Sequence, residues 1–462
     1  MADKNLRLNS RFSIIGAFWA PDAPDEIMTG TLISNEHAIN FITAPVYENP
    51  ITIDPGLFTL PDATMIPALH GFCEYGLITL CDVVEQSAPG MTNFHVGQAI
   101  KAKSFRVLSC LSGMHLDGMN DRCLTSARYT FEGLNAWFPV AFDEKWESDR
   151  IVVTIPMKQR EIQDFCLIDS RVRIKINLVP EFSSLEEGPS RLSKSRAFIE
   201  VETPAPECLG WYRRIGARLE NLFSLLTGGS VAADTLLVYR GGESGRLVAK
   251  RPGSVRHFDR MQSVWCAPHQ LAQAIATWLC LPPKFDSVES LALEVLRKSK
   301  LFMETEFLAL AQALEGFHRA TTNMSATDRL TLRKVRKAIR ATLDAQPVDA
   351  ELKDKICNSM MHAGDPNLAA RLTGLCQLIS EPTLSEMGIV LETFISNAVV
   401  TRNFYTHAGS GKESKRKPLT GKAMFLLNQK MRCLLRGVML LYLGLPESQI
   451  AEILKREARK WH

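Results

Sequence analysis

The spacing of apolar residues changes character part-way along this chain, and that change limits the fold more than any single residue does. Over roughly the first 200 residues, apolar or alternating runs are short and separated by turn-forming residues. The runs include Phe12 to Phe18, Ala38 to Ile42, Leu77 to Val84, Phe105 to Leu111, Ile151 to Ile155 and Val172 to Leu178. Pro21-Asp22-Ala23-Pro24-Asp25, Asn49-Pro50 and Asp54-Pro55-Gly56 punctuate them. Such runs predict a β-sandwich or barrel. Glu181 to Ser195 is polar and reads as a surface loop, and Phe198 to Glu202 as one more strand. Helical spacing starts near Leu209, where Trp211, Ile215, Leu219, Leu222 and Leu226 recur every three or four residues, and Gly228-Gly229 ends it.

After a short mixed region with a basic loop at Arg246 to Arg256, the pattern is all-helical from about Ser287. Ser290 to Leu314 carries long apolar stripes, and Asp328 to Leu343 is a strongly basic helix. Breaks fall at Gln346-Pro347, at Ala363 to Asn367 and at Glu381-Pro382. A helix from about Ser385 to about Tyr405 is followed by a Gly/Lys-rich loop, a long helix from Gly421 to Leu443, and a short one from Pro446-Glu447. The expected fold class is therefore α+β and multidomain: a β-rich, sandwich- or barrel-like region over 1–285, then an all-α bundle over 286–462.

A chain of 462 residues is too long for one ordinary core, which agrees with two domains. The eleven cysteines include no Cys-x-x-Cys pair, so no structural zinc site is expected. Their odd number argues against a disulfide scaffold and for reduced, mostly buried thiols in a cytoplasmic protein. The charged N-terminus has no apolar stretch behind it and is not a secretory signal. The most apolar C-terminal run, Met424 to Leu445, is interrupted by Lys430, Arg432 and Arg436, so no membrane span is expected. No metal and no cofactor are expected.

The stretch that carries chemistry is Thr401-Arg402-Asn403-Phe404-Tyr405-Thr406-His407. It ends a helix whose expected buried stripe is Leu391, Phe394, Ile395 and Ala398, with Arg402 next in line. An unpaired guanidinium on a core face is costly, so Arg402 should face a groove, a second subunit or an anion. Asn403 and His407 are four apart and share a helical face. Arg402 and His407 lie roughly 140° apart around an ideal helix. They converge on one phosphate only if the helix loosens near Tyr405 or a second chain supplies half the site. Histidine can move protons at a 2′-hydroxyl or a leaving 5′-oxygen. Arginine can clamp a phosphate, and Asn403 can orient either partner. The bland alternative is an interhelical salt-bridge arginine and a satisfied core histidine.

The Arg-Asn-x-x-x-His spacing resembles the R-x(4–6)-H motif of HEPN nucleases, which are small helical bundles. Ile15 to Pro21 through Pro24 and then Gly30-Thr31-Leu32, His70-Gly71-Phe72 through Gly76 and then Ile78-Thr79-Leu80, and Leu222 to Gly228 resemble parts of the ApeA N-terminal domain. The resemblance implies a bacterial anti-phage factor acting by abortive infection, with a HEPN endoribonuclease domain and a β-rich domain that senses or regulates. It implies metal-independent cleavage of RNA, tRNA anticodon loops above all, leaving 2′,3′-cyclic phosphate and 5′-hydroxyl ends. It also implies a homodimer or higher oligomer in which two motifs line one cleft, and a phage-derived trigger. Arg402, His407 and Asn403 would be the catalytic residues.

Charge agrees with an RNA partner. From Arg402 onward there are thirteen Lys or Arg against four Glu, in a chain whose net charge is +4. Lys412, Lys415, Arg416 and Lys417 follow the motif where a phosphate backbone would run. The helix with Arg329, Arg333, Lys334, Arg336, Lys337 and Arg340 is a second basic surface, as consistent with a solvated face as with RNA. Glu315 and His318 adjoin an apolar stripe and read more naturally as ordinary core or surface residues than as supports for the site. Two rivals stay open: a non-catalytic HEPN module for nucleic-acid binding or dimerisation, and a small-molecule or carbohydrate binder built on the β-rich region.

Overall fold

The computed structural model describes residues 11–35, 38–44, 46–48, 65–86, 91–93, 98–101, 103–131, 133–138, 143–146, 151–154, 160–167, 171–184, 191–249, 263–297, 301–322, 329–347, 349–359, 365–406 and 417–461. The chain divides into two compact units. The first comprises residues 1–223, 231–258 and 267–280; the second comprises 224–230, 259–266 and 281–462.

Strands of the first unit begin with β1 (Phe12–Ala20), β2 (Ala23–Ser34), β3 (Ile39–Thr43), β4 (Val46–Glu48), β5 (Met65–Cys73), β6 (Gly76–Gln86), β7 (Met91–Asn93), β8 (Gln98–Lys101) and β9 (Ser104–Ser112). They continue with β10 (Arg122–Phe131), β11 (Asp143–Trp146), β12 (Ile151–Thr154), β13 (Arg160–Cys166), β14 (Arg173–Ser184), β15 (Arg191–Cys208), β16 (Ala233–Arg240) and β17 (Glu243–Ala249). Twelve strands form one antiparallel sheet in the order β13-β14-β15-β10-β16-β17-β9-β3-β2-β1-β5-β6, and β6 also pairs with β9. That pairing closes β9-β3-β2-β1-β5-β6 into a six-stranded barrel, which removes its edges. The remaining strands extend from β9 as an open arm.

Alternation decides what fills the barrel. On β1, Ile14 and Phe18 point inward and are buried, whereas Ile15 points outward. The rings of Phe18 and Phe41 lie 4.5 Å apart and those of Phe41 and Phe105 5.8 Å apart. Glycines make room for these rings. A Cβ at Gly30 would sit 2.7 Å from the Phe41 ring, and one at Gly71 would sit 2.4 Å from the Phe18 ring. The Gly30-Thr31-Leu32 and His70-Gly71-Phe72 stretches are thus packing signatures of the barrel. Gly71→Ala is expected to destabilise the protein by about 1–3 kcal/mol through overpacking. Urea unfolding checks this, and an unchanged midpoint would remove the packing explanation.

Three helices belong with these strands: α1 (Leu134–Trp137), α2 (Leu209–Thr227), whose last turn from Ser224 belongs to the second unit, and α3 (Pro268–Leu279). Of the expected stripe α2 buries Leu219, Leu222 and Leu226 and adds Tyr212 and Phe223, whereas Trp211 and Ile215 are only partly buried. α3 falls in the region read as mixed, although Leu271, Ile275 and Trp278 are spaced for one buried helical face. Its C-terminal carbonyls are capped by Arg218, which donates to Leu279 O at 2.9 Å and to Trp278 O at 2.5 Å. The stretch Glu181 to Ser195, expected as a loop, is partly strand: β14 and β15 pair as far as Ser184 and Arg191. Ladder hydrogen bonds need no apolar side chains, so polarity alone misplaced that boundary. Similarly, β17 takes Arg246 to Ala249 from the expected basic loop, and 250–256 lie outside the described residues.

The second unit contains α4 (Asp286–Arg297), α5 (Met303–Thr321), α6 (Arg329–Asp344), α7 (Ala350–Ser359), α8 (Leu368–Cys376), α9 (Glu381–Glu386), α10 (Leu391–Thr406), α11 (Gly421–Tyr442) and α12 (Glu447–Ala458). α11 packs against α4, α5, α8, α10 and α12 and is the central helix. Among the described residues, no helix is long and apolar enough to cross a membrane. The apolar stripes of Ser290 to Leu314 lie on two helices, α4 and α5. The helix expected from about Ser385 starts only at Leu391. Gly388, at φ 66°, ends α9: its N–H bonds to Ser385 O, and the next N–H, of Ile389, bonds to Leu384 O.

Arg436 lies in the middle of α11 and is 1% exposed. Its Nε and Nη2 donate to Leu225 O at 2.9 Å and Leu226 O at 2.8 Å, and its Nη1 is paired with Glu457 of α12. The two carbonyls end α2, where no intrahelical donor is left for them and the helix dipole favours a cation.

Candidate functional site

α10 buries Phe394, Ala398 and Thr401. The buried stripe therefore continues through Thr401, not Arg402 as expected, and Leu391 at its start is partly exposed. Thr401 Oγ1 accepts a hydrogen bond from Leu419 N at 3.2 Å, which brings the chain back to the last turns of α10. A small hydroxyl on the core face serves this, where a guanidinium would not. The helix stays regular past Tyr405 to Thr406, whose Oγ1 donates to Arg402 O at 2.8 Å. Among the described residues α10 does not loosen near Tyr405.

Arg402 sits beside the buried stripe with its side chain 35% exposed. Its Nε is 3.9 Å from Oε1 of Glu315, on α5, whose side chain is 20% exposed. Asn403 is exposed, and so is Phe404 at 48%. His407, Lys412, Lys415 and Arg416 lie outside the described residues, and Lys417 is exposed. The pairing of Arg402 with Glu315 was not the favoured reading from sequence. The signal was there in part, because Glu315 lies next to the buried positions Leu314 and Phe317 on α5.

Three helices converge here. α5 also supplies His318, 2% exposed, whose Nδ1 is 3.0 Å from Thr322 Oγ1. A Cβ at Gly374 on α8 would sit 3.1 Å from His318 Nε2, so α5 and α8 touch closely at that point. Arg371, on α8, is buried and donates from Nε to Pro366 O at 2.8 Å. Burial, and then the Arg371 charge, hold the His318 pKa below its usual 6.5. Burial and then Arg319 lower the Arg371 pKa, while Glu315 and Asp365 oppose that shift.

The pH consequence has a definite sign. A histidine whose folded pKa is depressed is protonated first in the unfolded chain. Its neutral form supports the fold above about pH 6.5, and that support is lost as pH falls below this value. His318→Gln is expected to flatten the fall in melting temperature on acidification. Equal slopes for both proteins would exclude His318 as the cause.

A pocket of about 270 Å³ opens between α10 and α11, lined by Val390, Phe394, Asn397, Leu419, Leu427 and Lys430 among others. Burial lowers the Lys430 pKa. Much of the C-terminal basic surplus is spent internally. Arg436 is buried, Arg432 is paired with Glu306, and Lys455 and Arg456 are paired with Glu386 and Glu452. By contrast, α6 exposes Arg333, Lys334, Lys337 and Arg340.

In the first unit, His70 and His115 stack with centroids 4.4 Å apart, and Trp19 meets His115 edge-on at 5.7 Å. His70 Nε2 lies 3.1 Å from Leu116 O and His115 Nε2 lies 3.0 Å from Gly71 O. Burial and the neighbouring imidazole lower the His70 pKa. These residues pin the segment after β9 onto the outer face of the barrel. All eleven cysteines are free, and seven of them are buried together with Cys433. Among the described residues no three His, Cys, Asp or Glu converge as a metal site.

Residues 308–449, from α5 to the start of α12, match the Apea-like HEPN family, which defines the helical unit as a HEPN domain. Residues 13–269 match ApeA N-terminal domain 1, which covers more than half of the chain. The chain belongs to the ApeA-like family of proteins with this N-terminal domain and a HEPN domain. Membership points to a role in anti-phage defence, and HEPN domains are in general ribonucleases. No curated protein and no solved structure shows a significant match to the chain.

Proposed function

We propose that this protein is an endoribonuclease that cuts RNA, tRNA anticodon loops foremost, in defence against phage by abortive infection. The observation that carries the reading is Arg402, half-buried at the end of α10 and backed by Glu315, at the Arg-Asn-x-x-x-His spacing. In this reading His407 takes the proton from the 2′-hydroxyl as that oxygen attacks the adjacent phosphorus. The bond to the 5′-oxygen breaks, and the leaving oxygen takes up a proton. The products are a 2′,3′-cyclic phosphate and a 5′-hydroxyl. Arg402 stabilises the extra charge on the phosphoryl oxygens, and Asn403 orients the histidine or the substrate. The nucleophile is the substrate's own hydroxyl, so no metal is required by this route.

α10 is helical through Thr406, and five positions along an ideal helix turn by roughly 140°, which supports a site shared by two chains. Exposed Phe404 beside the motif suits a homodimer contact. Lys412, Lys415, Arg416 and Lys417, with the basic face of α6, would hold the RNA backbone. The β-rich unit would sense a phage-derived trigger and restrain the nuclease in the bacterial cytoplasm. Purified protein given trigger-containing phage lysate and tRNA in excess EDTA should produce cyclic-phosphate ends and elute as a dimer or larger. An active monomer would refute the shared site, and EDTA-sensitive cleavage would refute the metal-free route.

A further inference from the structure

We propose that Glu315 is a positioning residue for Arg402, a role that rests on the nuclease reading above. The atom of Arg402 nearest to Glu315 is Nε, at 3.9 Å from Oε1. The carboxylate therefore lies on the inner edge of the guanidinium. The two Nη groups, with four of its five N–H donors, are left for the outer side, the fork that grips two phosphate oxygens. An arginine on a half-exposed helix turn is otherwise free to explore many rotamers, an entropy that substrate binding would have to remove.

Glu315 is itself held on α5, a packed helix, with its side chain 20% exposed, and its charge is felt by buried Arg371 on α8. One turn further along α5, burial and then Arg371 lower the His318 pKa. Glu315 is thus, with Asp365, a negative charge offsetting Arg371, and it also pairs with Arg402. At 3.9 Å the contact is an ion pair and not a hydrogen bond, so Arg402 can lean onto a phosphate without breaking one.

The test uses the full chain with Glu315→Gln and Glu315→Asp. Glu315→Gln should lower kcat for RNA cleavage by about tenfold to a hundredfold with KM changed less than about threefold, as expected for a misplaced catalytic group. Glu315→Asp should restore most of the loss. A lowered melting temperature with unchanged kcat would show a structural role only and overturn the proposal. A second readout needs no activity. In arginine-labelled protein without RNA, the Nε–H signal assigned to Arg402 by its loss in Arg402→Lys should be sharp in wild type and broadened in Glu315→Gln. An unaltered signal would overturn the proposal. If wild type cleaves no RNA at all, the nuclease reading fails, while the Arg402 signal still decides whether Glu315 holds it.

Discussion

Replacing His407 with alanine should reduce RNA cleavage by about 10²- to 10⁴-fold, the range for removing a general acid or base. Arg402→Ala should cost about 10²- to 10³-fold, as for losing one charge-stabilising donor. Neither loss should come from unfolding. Arg402 is half-exposed, and its pair with Glu315 is of the kind that contributes at most about 1 kcal/mol to stability. Melting temperatures within a few degrees of wild type, together with abolished cleavage and abolished toxicity on overexpression, are the expected outcome. In a shared site, mixing the two variants should restore part of the activity, because each heterodimer keeps Arg402 from one chain and His407 from the other in the shared cleft. Equal toxicity of wild type and both variants would instead favour a non-catalytic HEPN module.

Arg436→Met should be the most destabilising single substitution in the helical unit, by about 3–5 kcal/mol. It removes the cation from a buried ion pair, takes the Arg436 donor from Leu225 O, and among the described residues leaves Leu226 O with only the Val264 N–H and Glu457 with only the Cys433 thiol. Cys433 Sγ, 3.3 Å from Glu457 Oε2, stays as a donor to that carboxylate, but a thiol cannot carry positive charge and so cannot replace the guanidinium. Adding Glu457→Leu should recover much of the loss, because an apolar pair of similar volume avoids desolvating two charges. Chemical unfolding of wild type, single and double variants measures both steps. An Arg436→Met protein as stable as wild type would show that the buried pair contributes nothing to the fold.

Barrel and bundle were both legible in the sequence because each depends on periodicity. β1 alternates around Ile14 and Phe18, and α2 repeats Leu219, Leu222 and Leu226 at helical spacing. Closure of the barrel was not legible, since it depends on β6 meeting β9 across a pairing that no local run encodes. The start of α10 was misjudged because apolar spacing runs on through Gly388, whose positive φ ends one helix before the next begins. At the site, composition and spacing located Arg402 but not its surroundings. The buried stripe passes through Thr401, and the partner on α5 lies far away in sequence. Charge counting overstated the basic surface, because a buried arginine such as Arg436 looks the same in sequence as an exposed one.

The central claim is that this chain cuts RNA with Arg402 and His407. Its most direct test is to map RNA ends in phage-infected cells that express wild type or His407→Ala at equal levels. The account predicts discrete new 5′-hydroxyl ends, concentrated in tRNA anticodon loops and matched by 2′,3′-cyclic phosphates, in wild type alone. The same ends at the same abundance with His407→Ala, or none in either, would contradict it.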